Sequence, residues 1–216
     1  MADRGDAAID SRPRGVSKSK FREYTETIVG ALALAFLLRT FIVQSFEIPS
    51  GSMENTLLVG DYLLANKVIY GMKMPWSATR ILKVRDPQRG DIVIFRFPLD
   101  RSQDYIKRVV GVPGDEIQIR DKQVYVNGIP SKDEHEIHND PHVVSSGAGV
   151  RDNFGPVRVP EHSFFMMGDN RDNSYDSRFW GFVKDSDIIG KAAVKFWSWD
   201  RKRWMPRLNR IGRPID

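Results

Sequence analysis

GDIVIFRF, residues 90–97, is the stretch of this 216-residue chain that most plainly predicts its fold. A Gly-Asp pair, which favours a turn, is followed by β-branched and aromatic residues, which favour a strand. The same order recurs in GDYLLANKVIY at residues 60–70 and in GDEIQIR at residues 114–120. These repeated turn-to-strand patterns predict a body built mainly of β-strands.

The remaining body carries further strand signals. Residues 105–112, 163–167 and 190–199 are strand candidates, and Asn127-Gly128 stands between apolar residues, which strongly indicates a two-residue hairpin. No amphipathic helix of convincing length appears after residue 44. We therefore expect a mainly β domain with antiparallel strands and complex pairing.

One segment of the body departs from the strand pattern. Residues 130–156 are rich in Asp, His, Ser and Gly, and they predict a small insertion or a long surface loop. Three of the four histidines, His135, His138 and His142, lie in this segment.

The composition narrows the possible chemistry. The absence of cysteine excludes a disulfide framework, a cysteine nucleophile and thiolate zinc sites. A formal net charge of +5 and a pI near 9.4 favour a nucleic-acid partner or an anionic membrane without choosing between them. The mean hydropathy of −0.40 is that of a soluble protein, but an average hides local apolar runs.

The N-terminal region predicts a membrane anchor. Residues 1–23 are polar and indicate a disordered arm, with five basic residues and no acidic one between Arg12 and Arg22. Residues 24–43 predict a transmembrane helix, because 20 residues span about 30 Å. The positive-inside rule then places the N-terminus in the cytoplasm and residues 44–216 outside. A cleavable signal peptide and a buried core helix remain as alternatives.

PSGSM, residues 49–53, is a candidate nucleophile turn. Ser50 and Ser52 flank Gly51, and a turn of this kind lets a hydroxyl and backbone N–H groups face one point. The alternative is a linker between the membrane and the domain. A serine nucleophile also needs a base, and the histidines of residues 130–156 are poorly placed for rigid positioning.

Lys107 is the candidate base. Alternation along residues 104–110 places it on one strand face with Tyr105 and Val109, where burial would lower the pKa of its amine. Arg108, on the other face, stays charged and cannot serve. The alternative is a lysine that extends from a solvated face.

GDNRDNSYDSRFWG, residues 168–181, is a dense polar loop. It fails as a calcium loop, because Arg171 occupies a ligand position and the sixth position lacks glycine. It is either a self-bonded turn or a loop that orients catalytic side chains through ion pairs.

Two other classes of function compete. The ligand types of His135, His138 and His142 suit a metal-dependent hydrolase, although no HExxH helix exists. The Trp-rich basic stretch at residues 196–204 suits a non-catalytic protein that binds a membrane surface or nucleic acid.

Taken together, PSGSM, DYIKRVVGVPGD and GDNRDNSYDSRFWG, in this order after a candidate span, resemble bacterial type I signal peptidase (leader peptidase) in its single-span form. The resemblance implies an antiparallel complex β-fold like that of signal peptidases and SOS repressors. It implies a membrane-anchored serine endopeptidase with a Ser-Lys dyad, which removes N-terminal signal peptides from exported preproteins after small residues in Ala-x-Ala sites.

The same resemblance implies a location and partners. The protein is expected in the inner (plasma) membrane as a single-pass protein, with its catalytic domain on the periplasmic side. Its expected partners are preprotein signal peptides, the lipid surface and, functionally, the export machinery. No cofactor, metal or nucleic acid is implied.

The resemblance also assigns roles to individual residues. Ser52 matches the nucleophile, Lys107 the general base, and Ser50 with the Ser52 N–H the oxyanion hole. The supporting residues are Ser174, whose hydroxyl holds the lysine amine, and the ion-paired Asp176 and Arg178; Asp169 and Arg171 belong to the same motif. The substrate cleft is expected to be lined by Phe46, Ile48, Met53, Leu57, Leu63, Ile94, Tyr105 and Ile106. Asn55 departs from the family, which commonly has proline there.

Overall fold

The computed structural model describes residues 20–73 and 80–215, and the chain divides into two compact units between Leu37 and Leu38. The described part of the first unit is helix α1, Lys20–Leu37. It begins four residues before the predicted start and ends six residues before the predicted end. The early end follows because a π-helical turn occupies Leu38–Ile42 and a strand begins at Val43. Among the described residues, no helix is long and apolar enough to cross a membrane. The predicted arm lies outside the described residues as far as residue 19.

The second unit is built of strands and one short helix, α2, Ser177–Trp180. The strands are β1 Val43–Glu47, β2 Asp61–Asn66, β3 Met72–Lys73, β4 Arg80–Ile81, β5 Ile92–Phe97, β6 Asp100–Gly111, β7 Glu116–Arg120, β8 Gln123–Val126, β9 Ile129–Pro130, β10 Phe154–Arg158, β11 Ser163–Met167, β12 Val183–Lys184, β13 Ile188–Asp200, β14 Met205–Pro206 and β15 Arg213–Pro214.

The strands of this unit pair antiparallel. The largest sheet of the described residues has nine strands in the order β1-β2-β13-β5-β6-β11-β12, with β14 and β15 both paired to β13. A second sheet has the order β10-β7-β8-β9, and β3 pairs with β4. The sequence order is scrambled across the large sheet, so the prediction of a mainly β, antiparallel domain with complex pairing is confirmed.

The repeated Gly-Asp pairs form one kind of turn. At Gly90-Asp91 the glycine has a φ of +89°, a conformation that costs glycine little, and Asp91 N–H bonds to the Gln88 carbonyl. The Asp91 carboxylate in turn accepts the Gln88 N–H, so the turn is closed from both directions. The equivalent turns at residues 58–61 and 112–115 share this arrangement. Each is followed directly by a strand, as the sequence predicts.

Strand prediction succeeded best where the signals were local. Residues 163–167 coincide with β11, and residues 190–199 lie inside β13. Asn127 and Gly128 both have positive φ between β8 and β9, which confirms the hairpin. The strand predicted at residues 105–112 instead begins at Asp100, because β6 continues the hairpin that it forms with β5.

The core lies on both sides of the central strands. One cluster of buried residues, including Ile48, Met53 and Ile94, packs beneath the turn that follows β1. Another, including Phe95, Phe97 and Trp180, packs near the loop that follows β11. Strands β5 and β6 contribute to these clusters, so they hold the nucleophile turn and the polar loop in one framework.

Candidate active site

The PSGSM segment forms a short 3-10 turn at Gly51–Met53. Glu54 N–H closes the turn on the Gly51 carbonyl at 3.1 Å. Met53 is fully buried in the core beneath, and Ser52 is only 8% exposed. The turn is therefore anchored by its methionine, and the adjacent serine is held in one position.

Lys107 lies next to that serine. It is in the middle of β6, opposite Val93 of β5, and its side chain is nearly inaccessible. Its Nζ is 2.5 Å from Ser52 Oγ. The structure thus brings together the two side chains that the sequence predicts as nucleophile and base, although they are 55 positions apart.

The environment of Lys107 favours the neutral amine. Burial lowers the pKa of Lys107 from 10.5 to about 8, and the nearby Arg178 guanidinium acts in the same direction. The carboxylates of Asp176 and Asp169 oppose this effect, but they do not outweigh desolvation. At neutral to mildly alkaline pH a substantial fraction of the amine can therefore accept a proton.

A cavity of about 680 Å³ opens over this pair. Ser50 lines it and is exposed, with its Oγ 3.5 Å from Ser52 Oγ. Ser174 lines the same cavity. The Ser174 hydroxyl is buried, and no described residue is its hydrogen-bond partner, so the expected contact with the Lys107 amine is not formed in this conformation.

The polar loop approaches the nucleophile turn very closely at Gly168. A Cβ at this position would lie 2.3 Å from the Ser52 carbonyl oxygen and 2.4 Å from Ser174 Oγ. Any larger residue would push the loop away from the turn. The glycine that opens the polar motif is thus explained by packing against the nucleophile.

Asp176 and Arg178 form a buried ion pair with two parallel hydrogen bonds of 2.8 Å. Asp176 also accepts the Gly168 N–H and caps helix α2. Arg178 donates to the backbone carbonyls of Arg171 and Arg151. The pair therefore ties both ends of the polar loop together, as the resemblance implies.

Asp169 has a partner that the sequence did not reveal. It accepts two hydrogen bonds from Arg108, at 2.8 and 2.9 Å, and one from the Thr56 hydroxyl at 2.6 Å. The ion pair of Asp169 with Arg108 lies in the interior, since Asp169 is fully buried and Arg108 is 3% exposed. Alternation had placed Arg108 opposite Lys107, and a buried arginine requires a carboxylate, but no local pattern indicated which one.

The structure places the predicted cleft residues in two different environments. Tyr105 and Ile106 line the cavity, whereas Phe46 is partly buried and packs against the core. Ile48, Met53, Leu57, Leu63 and Ile94 are instead at most 2% exposed, and they form the core below the cleft. The resemblance assigned these residues to the cleft, and no local sequence pattern shows that their side chains are covered.

Several residues that line this cavity were not predicted individually. Gln103 and Asp104 from β6, and Tyr175 and Phe179 from the polar loop and α2, also border the cavity. Tyr175 and Phe179 are about half exposed, with ring centroids 5.5 Å apart. The aromatic residues inside this largely polar motif were the available signal.

The histidine-containing segment does not form a metal site in the structure. Within residues 20–73 and 80–215, no group of three or more His, Cys, Asp or Glu side chains has an arrangement that could hold a metal ion. His135 Nδ1 lies 3.2 Å from Asp133, and His138 Nδ1 lies 3.5 Å from Asp172. Both carboxylates already bind a cationic side chain, Arg171 and Lys122 respectively.

Comparison with known proteins identifies the family of this chain. The family model described as signal peptidase, peptidase S26, matches residues 21–197. Signal peptidase I of Pseudomonas fluorescens is 38% identical over 88% of this chain and 78% of its own length. Signal peptidase I of Pseudomonas aeruginosa is 36% identical over the same shares of the two chains.

A cyanobacterial relative and a solved structure extend the comparison. The probable signal peptidase I-2 of Synechocystis is 39% identical over 81% of this chain and 72% of its own length. A crystal structure of a signal peptidase I from Enterococcus faecalis has 30% identity, a TM-score of 0.40, and coverage of 50% of this chain and 97% of that one. On the family match and the identity to its relatives, the chain belongs to the signal peptidase family, peptidase S26, and is a serine-type endopeptidase.

Proposed function

We propose that this enzyme removes N-terminal signal peptides from exported preproteins, and that Ser52 and Lys107 form its catalytic dyad. The observation that carries the proposal is the buried Lys107 amine, 2.5 Å from Ser52 Oγ, with a pKa of about 8. Membership of the signal peptidase family supports the substrate class. The small exposed surface around the pair supports its isolation from water.

Acylation begins with the neutral amine of Lys107. Nζ accepts the proton of the Ser52 hydroxyl while Oγ forms a bond to the carbonyl carbon of the last signal-peptide residue. The oxyanion that forms accepts hydrogen bonds from the Ser52 N–H and from Ser50 Oγ, and the loss of one such donor typically costs ~10²–10³ in rate. The C–N bond then breaks, and the Lys107 ammonium donates its proton to the leaving amine.

Deacylation uses the same base. Water attacks the Ser52 ester, and its proton passes to the Lys107 amine. When the tetrahedral intermediate collapses, Ser52 Oγ leaves and takes a proton back from Lys107. The cycle returns both groups to their starting protonation states and needs neither a cofactor nor a metal.

The cleft accounts for a preference for small residues. An extended signal peptide that pairs alongside the 103–106 segment of β6 would direct alternate side chains towards the floor of the cavity. Ile48 and Ile94 already fill the space under that floor. Shallow pockets would accept Ala, Gly or Ser at the first and third positions before the cut, which matches Ala-x-Ala sites.

The enzyme is also proposed to be anchored in the inner membrane, with residues 24–43 crossing once. The N-terminus would be cytoplasmic and the catalytic domain periplasmic, close to the export machinery that delivers its substrates. The basic residues before the apolar run support this orientation.

A surface near the C-terminus would lie on the lipid. Trp204 is 77% exposed, and Phe196 and Trp197 on β13 are also partly exposed. Arg201, Lys202 and Arg203, grouped in the turn before β14, are exposed as well. Trp prefers the membrane interface and cations bind anionic headgroups, so this combination suits a bilayer surface.

The dyad is tested with a preprotein whose signal ends in Ala-x-Ala. Ser52→Ala and Lys107→Ala are each expected to abolish cleavage, whereas the exposed-site controls Ser145→Ala and Lys184→Ala keep it. Circular dichroism verifies folding. Cleavage by folded Ser52→Ala would disprove the serine mechanism, and loss of wild-type activity with a chelator would favour the metal hydrolase.

The lipid surface is tested with the full chain in nanodiscs that contain brominated phospholipid. Tryptophan quenching by bromine should fall when Trp197 and Trp204 are changed to Phe, since both are exposed. Trp180→Phe is the control because that ring lies in the core. Unchanged quenching in the double variant would show that this surface is not on the bilayer.

A further inference from the structure

Residues 131–140, here called the strap, contact the polar loop beside the active site. Ile137 N–H donates to the Asp169 carbonyl at 2.8 Å, and Arg171 N–H donates to the Ile137 carbonyl at 3.0 Å. These bonds form a short parallel bridge between the strap and the loop. The predicted surface excursion is therefore joined to catalytic-site backbone by hydrogen bonds.

Ion pairs near its start and a hydrogen bond at its end fix the strap. Near its start, Asp133 pairs with Arg171 at 2.9 Å, and Glu136 binds the same guanidinium, which is almost completely buried. At its end, the Asp140 N–H donates to the Asp172 carboxylate at 2.8 Å. A buried, paired arginine holds a rigid contact, because its separation would leave an uncompensated charge in the interior.

A chain of amide contacts runs from the strap to the nucleophile turn. Asn139 Nδ2 donates to Asn170 Oδ1 at 3.1 Å, and Asn170 Nδ2 donates to the Gly51 carbonyl at 3.2 Å. The Asn170 backbone N–H also donates to the Ser52 carbonyl at 3.2 Å. Asn170 is 1% exposed, so water does not compete for these groups.

These amide contacts bear on catalysis because they end on the Gly51 carbonyl. The Gly51 carbonyl and the Ser52 N–H belong to one planar trans peptide group, so they point in opposite directions. A donor that anchors the carbonyl therefore fixes the direction of the N–H. The Glu54 N–H that also binds this carbonyl belongs to the same turn, whereas Asn170 anchors it from outside.

We propose that Asn170, oriented by Asn139 of the strap, is a positioning residue that aims the Ser52 N–H at the oxyanion. The inference rests on the proposed function, in which that N–H is an oxyanion donor. Asn170 does not touch the substrate in this scheme. It acts through the Gly51-Ser52 peptide, and the strap serves to keep its amide in the orientation that donates to Gly51.

The expected effect falls on turnover rather than on substrate binding. Loss of a whole oxyanion donor typically lowers the rate ~10²–10³-fold. Loss of only its alignment in Asn170→Ala should therefore lower kcat about tenfold, with KM changed less than twofold. Asn139→Ala should lower kcat about threefold, since it only frees the Asn170 amide to rotate. The double variant should match Asn170→Ala alone, because the two side chains act in series.

The experiment measures kcat and KM for the full chain in detergent with an Ala-x-Ala peptide. It also measures the inhibition constant of the corresponding peptide aldehyde, whose adduct with Ser52 carries the oxyanion. The inhibition constant should rise by the same factor as kcat/KM falls. Glu134→Ala, an exposed truncation on the same strap, is the matched control and should equal wild type.

The outcomes separate this inference from the proposed function. The inference would be overturned if folded Asn170→Ala and Asn139→Ala kept the wild-type kcat. It would also be overturned if kcat fell while the inhibition constant of the aldehyde stayed unchanged. If Asn170→Ala does not fold, Asn139→Ala alone decides by the same criteria. Cleavage by Ser52→Ala would instead overturn the proposed function, whatever the asparagine variants do.

Discussion

Lys107 and Arg108 are neighbours on β6 and are equally buried, at 4% and 3% exposed, yet they are used in opposite ways. Arg108 faces Asp169 and donates two hydrogen bonds to its carboxylate. Lys107 faces a hydroxyl, and its hydrogen-bond partner is Ser52. One strand therefore presents a structural cation on one face and the proposed base on the other.

The difference teaches how a protein makes a buried cation reactive. Desolvation penalises both charges, and a carboxylate in direct contact compensates for that penalty at Arg108. At Lys107 the nearest carboxylates act only through space, so the pKa falls to about 8. The side-chain type and the presence or absence of a contacting carboxylate, rather than the degree of burial, separate the two roles.

The largest effect is expected when the base is replaced by its neighbour's residue type. Lys107→Arg puts a permanently charged guanidinium beside Ser52, and general-base catalysis is worth ~10²–10⁴ in rate. We expect kcat/KM for a preprotein to fall by about 10³–10⁴, with Lys184→Arg as an exposed control. Near-wild-type cleavage by Lys107→Arg would mean that a neutral amine is not required.

Breaking the pair on the other face should act on stability. Asp169→Asn leaves Arg108 charged in the interior, and the removal of one partner of a buried ion pair costs about 3–5 kcal/mol. Denaturant titration should show this loss in the free energy of unfolding, while the exposed Glu116→Gln remains within about 0.5 kcal/mol of wild type. A loss below about 1 kcal/mol would show that water or the Asp133 carboxylate, 3.9 Å from Arg108, compensates for the Arg108 charge.

Removal of the base should stabilise the fold. The pKa of Lys107 is about 8 in the folded state and 10.5 in the unfolded state. Between these pH values the unfolded state binds more protons. The free energy of unfolding therefore falls as the pH falls from 10.5 to 8. The penalty at pH 7 is about 3 kcal/mol. Lys107→Met should be more stable than wild type at pH 7 by up to that amount, and the gain should disappear towards pH 10.5.

Arg108→Met provides the opposite case for the same titration. It leaves the Asp169 carboxylate unpaired, so it should be less stable than wild type at pH 7. If Lys107→Met also destabilised the protein at this pH, packing of the lysine stem would outweigh the desolvation of its charge.

Sequence patterns predicted the parts of this comparison that are local. The turn before β5 needs only Gly90 and Asp91 in order, and period-2 alternation alone separates Lys107 from Arg108. The pairing of Ser52 with Lys107 came from the family resemblance, since nothing local links residues 55 positions apart. The resemblance also supplied the ion pair of Asp176 with Arg178.

The remaining contacts depend on packing that no local pattern encodes. Arg108 meets Asp169 because β6 lies beside β11, and the strap meets Asn170 because residues 131–140 fold back on the polar loop. Ile48 and Ile94, predicted to line the cleft, lie in the core for the same reason. Alternation gives the face of a side chain, but only the tertiary fold shows whether that face is covered.

The smallest effect is the one that tests the amine most directly. Lys107 must be neutral to accept the Ser52 proton, and its pKa in the free enzyme is about 8. We therefore expect kcat/KM to rise with pH along a single-proton curve that is half-maximal near pH 8. Activity at pH 7 would then be about one tenth of the plateau. A histidine base would instead place the midpoint near its ordinary value of about 6.5, and an unshifted lysine would place it above pH 10. Measurement of cleavage from pH 6 to pH 10, with stability followed in parallel, therefore separates the three cases, and a flat profile over this range would contradict the assignment of Lys107 as the base.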